Sequence, residues 1–186
     1  MEEDVRAIYA RGEPCQLDRE THCAWLHQRV SPCASPLSSG YISLDASRAW
    51  LLYWNAHAYT LLNDALPEGT SEAMIETLKT FWHPQLGGFG GGSGQTPHLA
   101  ATYASTLTMA ILASPEAYAV VDRDLLYRFL LRMKQPDGSF TMCENGEIDV
   151  RGTYCALTAA LLCNILTPEL TRGCAAFIAK SPSSLQ

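Results

Sequence analysis

Gly87-Gly-Phe-Gly-Gly-Gly-Ser-Gly-Gln-Thr-Pro-His-Leu-Ala-Ala-Thr-Tyr-Ala104 passes from a glycine-rich turn straight into an apolar segment, and the chain makes that transition again further on. Phe89 follows Gly87-Gly88, and Phe140 follows Asp137-Gly138-Ser139. Thr102-Tyr103-Ala104 matches Thr153-Tyr154-Cys155, and both pairs of matches share one offset of 51 residues. A fixed period of that size marks an array of helical hairpins, in which each unit needs neighbours to bury its apolar face. Asp45-Ala-Ser-Arg-Ala-Trp50-Leu51 reads as an earlier, diverged copy of the same helix start.

Working outward, two kinds of helix alternate. The 71–83 segment carries Met74, Ile75, Leu78, Phe81 and Trp82 as one stripe with polar residues opposite, and 123–134 repeats this with Leu125, Leu126, Phe129, Leu130 and Met133 after Asp122 as N-cap. Thr167-Pro168-Glu169 marks another start, a cap followed by proline at the first helical position. Between them, 99–113 and 153–166 are apolar almost all round, and such helices belong inside others. The predicted architecture is all-α, with amphipathic outer helices around buried inner ones. Periodicity alone leaves an open superhelix and a closed ring equally available. Upstream, 17–29 is expected to be a short helix carrying Leu17, Trp25 and Leu26, and Ser31 to Gly40 a linker or turn.

The chain's 186 residues suffice for one domain with a real core. A net charge of −6 argues against nucleic-acid or anionic-membrane partners held by bulk electrostatics. No uninterrupted apolar run reaches the roughly 18 residues of a membrane span, and the start, Met1-Glu2-Glu3-Asp4, lacks the apolar run of a secretory signal. Seven cysteines, an odd number without Cys-x-x-Cys, fit reduced buried thiols in a cytoplasmic protein.

Three stretches resemble the protein prenyltransferase β subunits: 43–54, 87–104, and 134–140 continuing through 147–156. The resemblance runs from about Leu17 to Lys180 and implies an α/α toroid, with a ring about twice the length present here. Within the family, Leu44-Asp-Ala-Ser-Arg-Ala-Trp50 points to the protein farnesyltransferase branch. The relatives that transfer the longer geranylgeranyl group tend to have a smaller residue where Trp50 stands, and a bulky indole at the pocket floor would shorten the slot.

The resemblance implies that Trp50, Tyr103 and Tyr154 line a farnesyl pocket. Aromatic walls suit an isoprenoid, although these residues could also be core filler with satisfied polar tips. Ala46, Ser47, His98 and Ala100 match positions around the last residue of an acceptor peptide, Trp54 a position near its penultimate side chains, and Arg151 an arginine that bonds its backbone. Read without the family, His98 is a hydrogen-bonding residue at a helix start, and Arg151 would pair with Asp149 or Glu147. Alanines at 49 and 101, where the family often has proline, should loosen local geometry more than chemistry.

The implied reaction is S-alkylation: a zinc-bound cysteine thiolate of a C-terminal acceptor tail attacks farnesyl diphosphate, in a heterodimer with an α subunit. The family's Asp, Cys and His zinc ligands and its diphosphate-binding cations lie beyond position 186. Among the histidines and Cys23, only the weak cluster at 22–27 has any metal-like spacing, so no metal site and no catalytic residue is expected in this chain. The expected organisation is an N-terminal extension and linker (1–40), partial toroid repeats (41–180) and a divergent tail (181–186), together a fragment of a longer β subunit, inactive alone. Three alternatives remain. A non-catalytic scaffold could bind an isoprenoid or the α subunit. A terpene-cyclase-like toroid would need an acidic cluster that Glu144 to Asp149 does not form. A plain repeat scaffold for protein partners is the third.

Overall fold

In the structure, a computed structural model, residues 17–30, 37 and 39–181 are described. Cys15, Cys33, most of the expected linker and residues 182–186 of the expected tail lie outside them.

The elements are α1 (Arg19–Val30), a tight 3-10 segment (Ser39–Ser47), α2 (Arg48–Leu62), α3 (Thr70–Phe81), α4 (Leu99–Leu112), α5 (Pro115–Tyr118), α6 (Arg123–Met133), α7 (Val150–Leu162), α8 (Pro168–Thr171) and α9 (Cys174–Lys180). Among the described residues β-type pairing is confined to the isolated bridges Trp82–Phe89, Lys134–Phe140 and Thr141–Ile148, all at the turns between outer and inner helices.

The two helix classes are those the sequence pattern requires. On α3, Met74, Ile75, Leu78 and Phe81 are buried while Glu72, Glu76 and Lys79 face water, with the acid in the first turn and the lysine in the last, as the helix dipole favours. On α6 the buried set is Leu126, Phe129, Leu130 and Met133. Asp122 caps this helix, its Oδ1 accepting from the N–H groups of Asp124 and Leu125 at 3.0 Å each. The inner helices pack side by side in the order α2, α4, α7. Small side chains allow the close approach: Ala101, Ala104 and Ser105 on α4, and Gly152, Ala156, Ala159 and Ala160 on α7, are all buried. Two core clusters result, one centred on α2 and α3 and one on α6 and α7, with Trp82 and Val121 packed against both.

The repeated turn locks each inner helix to the outer helix that follows it. Gly87 (φ 72°) and Gly138 (φ 95°), 51 residues apart, both adopt the left-handed conformation that glycine tolerates. A β-carbon at Gly87 would overlap the Leu125 carbonyl in α6, and one at Gly138 the backbone of Gly173 at the start of α9. Phe89 and Phe140 behind these turns are wholly buried, each worth about 2–3 kcal/mol of transfer free energy.

The helix expected over 153–166 starts earlier, at Val150, because Asp149 caps it. The start at Thr167 is real, with the threonine hydroxyl accepting from Leu170 N at 3.3 Å, but the helix lasts only to Thr171 before Gly173 turns the chain into α9. Helix α1 is tied to the end of α2: Arg19 donates to the Leu62 carbonyl at 2.7 Å, and the His27 ring stacks on Tyr59 at 5.5 Å. Its Leu26 is buried, whereas Leu17 and Trp25 are exposed.

Candidate functional site

The N-terminal turns of the inner helices bring a row of aromatic side chains together. Helical spacing puts Trp50, Tyr53, Trp54 and His57 on neighbouring faces of α2. Trp50 meets Trp54 at 5.7 Å between ring centroids and, across the helix pair, Tyr103 on α4 at 5.7 Å. Tyr103 meets Tyr154 on α7 at 5.2 Å, and their hydroxyls are hydrogen-bonded at 3.1 Å. Trp50, Tyr103 and Tyr154 therefore form one continuous wall drawn from successive inner helices. Burial, and then the Tyr154 hydroxyl, pushes the Tyr103 phenol well above its ordinary range, so it stays neutral throughout the physiological range. Trp50 and Tyr103 are half-buried, while Trp54 and Tyr154 are more than half exposed.

Sequence reasoning missed Tyr53 and His57. Tyr53 touches Trp50 at 6.2 Å, Tyr103 at 6.4 Å and His57 at 5.3 Å. The signal was the i, i+3, i+4, i+7 spacing of four aromatic rings on one helix, which extends Trp50 into a patch.

The remaining expected residues lie at the entrances to α2, α4 and α7. Ala46 is exposed and Ser47 half-buried at the end of the 3-10 segment. The glycine-rich loop pins that segment: Ala49 N donates to the Gly91 carbonyl at 3.3 Å, and Gln95 Nε2 donates to the Asp45 carboxylate at 3.0 Å. A β-carbon at Gly91 would overlap the Ala46 carbonyl, so only glycine lets the loop come this close.

His98 is the N-cap of α4, its Nδ1 accepting from Ala100 N at 3.1 Å. An accepting Nδ1 requires the neutral ring protonated at Nε2. Desolvation lowers the His98 pKa in the matching direction. Ala100 is half-buried beside it. Arg151 takes the ion-pair arrangement: its Nε and Nη2 donate to Asp149 Oδ2 at 2.9 and 2.6 Å, and Glu147 lies 3.8 Å away. That guanidinium holds the Asp149 carboxyl below the usual carboxylate range. Arg151 is well exposed, three residues before Tyr154 on α7.

Among the described residues no group of three or more His, Cys, Asp or Glu side chains is arranged to hold a metal ion. In the 22–27 stretch, His27 Nε2 lies 3.6 Å from Asp64, and burial, then Asp64, raises the Cys23 thiol. A separate cleft of about 320 Å³ at the C-terminal ends of α4 and α7 is lined by Met109, Tyr118, Leu162 and Cys163 and shares no residue with the aromatic wall. Burial pushes the Cys163 thiol up to about 11, leaving it neutral and unreactive. No helix among the described residues is long and apolar enough to cross a membrane.

Residues 17–184 match the family described as prenyltransferase alpha-alpha toroid domain. The chain is 38% identical over 156 residues to the protein farnesyltransferase subunit beta of Pyricularia oryzae, an alignment covering 84% of this chain and 29% of that protein. The protein of the same name from Pisum sativum is 41% identical over 131 residues, covering 70% of this chain and 31% of its own length. That of Saccharomyces cerevisiae is 42% identical over 134 residues, with the same two shares, 70% and 31%. The chain thus spans about three tenths of the length of these relatives. A repeat of inner and outer helices, glycine turns at one period and a match over nearly the whole chain converge on one assignment: this chain belongs to the prenyltransferase α/α toroid family.

Proposed function

We propose that the chain is the N-terminal part of a protein farnesyltransferase β subunit and supplies one wall of its isoprenoid pocket. The observation that carries this reading is the contact chain Trp50–Tyr103–Tyr154, aromatic residues from the first two turns of three successive inner helices meeting at 5.7 and 5.2 Å. A row of aromatic faces offers an isoprenoid large apolar area without demanding hydrogen bonds in return. In the reaction of the whole ring, a cysteine thiol near the C terminus of an acceptor protein loses its proton. Its sulfur bonds to C1 of the farnesyl group, and the C1–O bond breaks with its electron pair leaving on diphosphate.

In this reading the residues of this chain bind and orient. Trp50, Tyr103 and Tyr154 hold the isoprenoid. Ala46, Ser47, Trp54, His98 and Ala100 border the side chains of the acceptor tail, and Arg151 offers its guanidinium to the tail's backbone. The zinc of the family does not fit the donors described here, which form no metal-holding group; no step is assigned to it in this chain. The organisation into an extension (1–40), toroid repeats (41–180) and tail (181–186), a cytoplasmic location and a heterodimer with an α subunit belong to the same proposal.

Calorimetric titration of farnesyl diphosphate into the 186-residue chain tests it. Saturable binding is expected, weakened at least about tenfold by Trp50→Ala, which removes a large apolar face, with no transfer to a cysteine-containing peptide. Affinity that Trp50→Ala leaves untouched, or no saturable binding at all, would sink the reading.

A further inference from the structure

Trp50, Tyr53 and Tyr103 form a closed triangle of rings, with centroid separations of 6.2 Å (Trp50–Tyr53), 6.4 Å (Tyr53–Tyr103) and 5.7 Å (Trp50–Tyr103). Two corners belong to the wall described above. The third, Tyr53, stands one helical turn beyond Trp50 on α2 and reaches across to α4. It is half-buried, and its far side rests edge-on against His57, a further turn along, at 5.3 Å. Its contacts with Trp50 and Tyr103 are both edge-type, at interplanar angles of 66° each. An aromatic ring held edge-on against two others fixes their tilt, because turning either costs a favourable quadrupolar contact.

We propose that Tyr53, backed by His57, is a positioning residue that sets the length of the isoprenoid slot by holding the Trp50 and Tyr103 rings in place. The inference rests on the isoprenoid-wall reading and goes beyond it in one respect: selectivity for chain length resides in a braced triad, not in the bulk of Trp50 alone. On the Trp50 side, Tyr53 denies the indole the rotation that would open space along α2. On the Tyr103 side, it stops that ring from following. Among the described residues, the one further ring contact of Trp50 is with Trp54, which is more than half exposed and offers weaker support. Without Tyr53, the indole can swing into the vacated volume and the slot lengthens. A longer isoprenoid then gains more than a shorter one, since each added apolar group buried strengthens binding while the shorter chain leaves the new space empty.

The test uses the full chain and two ligands, farnesyl diphosphate and geranylgeranyl diphosphate, titrated into wild type, Tyr53→Leu and Tyr53→Phe. Leucine keeps apolar bulk and helix propensity but not the ring; phenylalanine keeps the ring. Both ligands go into the same sample, so partial unfolding scales both alike and cancels in the ratio of affinities. The wild type is expected to prefer the farnesyl compound. Tyr53→Leu should reduce that preference about tenfold, the scale of discrimination an apolar slot can supply, and Tyr53→Phe should restore it. An unchanged ratio in Tyr53→Leu, with the wild-type preference intact, overturns the positioning role and spares the wall. Equal loss of preference in Tyr53→Phe overturns it too, since the ring would then not be the operative group. A wild type that binds neither compound fails at the earlier step and takes both readings with it.

Discussion

Helices α4 and α7 carry the same residues at the same turn, yet Tyr103 is half-buried while 59% of Tyr154 is open to solvent. The difference lies in the neighbours. Helix α4 is flanked by α2 on one side and α7 on the other, and it buries Leu99, Thr102, Ser105, Thr108 and Met109 besides Ala101 and Ala104. Helix α7 has α4 on one flank, and Val150, Tyr154, Leu161 and Leu162 lie bare. An inner helix is apolar all round because the fold surrounds it, so a bare flank of this composition is a surface built for packing. The two copies of the repeat serve as internal controls for each other. The same substitution made 51 positions apart separates what the residue does from what its surroundings do.

The largest contrast is expected at the turn glycines. Gly87 and Gly138 share a left-handed backbone, and a β-carbon at either would meet backbone of the next outer helix. The obstacles differ in how easily they yield. Leu125 belongs to α6, which is anchored by Leu126, Phe129, Leu130 and Met133. Gly173 opens α9, in which only Cys174 is buried. Gly87→Ala should cost about 3–4 kcal/mol, the sum of conformational strain and overpacking, and Gly138→Ala about half of that, because α9 can move away. Urea unfolding of both variants measures the gap. Equal costs would mean that α9 is held as firmly as α6.

A smaller contrast separates two threonines. Thr102 Oγ1 accepts from the buried Phe89 N–H at 3.0 Å, tying the first turn to its inner helix. At the matching place in the second copy, the Thr153 hydroxyl is buried without a hydrogen-bond partner among the described residues. Replacing a satisfied acceptor leaves a buried donor orphaned, whereas replacing an unsatisfied hydroxyl by a methyl group removes a desolvation penalty. Thr102→Val should destabilise by about 1–3 kcal/mol, and Thr153→Val should be neutral or slightly stabilising. A comparable loss in both variants would reveal a bond to Thr153 and erase the contrast.

How much of this was legible in the residues follows from what each signal depends on. The stripe Met74, Ile75, Leu78, Phe81 fixes a helix and its buried face, since one periodicity determines both. The equal offsets of Phe89 to Phe140 and Tyr103 to Tyr154 revealed the repeat, because local turn chemistry and helix starts recur together. That Trp50, Tyr103 and Tyr154 come together was suggested by the family resemblance and by their places on successive inner helices, but nothing in a single sequence says which faces of all-apolar helices meet. Tyr53 escaped because its importance lies in contacts with Trp50 and Tyr103 across two helices. The pairing of Arg151 with Asp149 was foreseen as an option, but sequence could not rank it, because a cap and an ion pair compete for one carboxylate and here Asp149 serves both.

The caps of the two inner helices give the smallest contrast and the most specific one. His98 and Asp149 stand 51 positions apart, and each accepts from the backbone N–H two residues on, Ala100 at 3.1 Å and Arg151 at 2.7 Å. His98 can do so only with Nδ1 unprotonated, whereas Asp149 accepts most strongly as a carboxylate, and the two are protonated at different acidities. The pKa of His98 is lowered by burial from 6.5, so between that value and the folded one the unfolded chain binds a proton that the native chain refuses. The His98 contribution is therefore present above about pH 6.5 and is lost as pH falls through the folded pKa. Asp149 is held below 3.8, first by Arg151, so its cap survives until far more acid conditions. Stability measured by thermal melts from pH 7 to 4 should show an early loss of about 1 kcal/mol, the worth of a cap, that weakens α4 before α7. His98→Asn keeps a capping acceptor that does not titrate and should abolish this early step, leaving the later acid loss in place. If the early step persists in His98→Asn, another group titrates there, and the two inner helices do not differ in the acidity at which their caps fail.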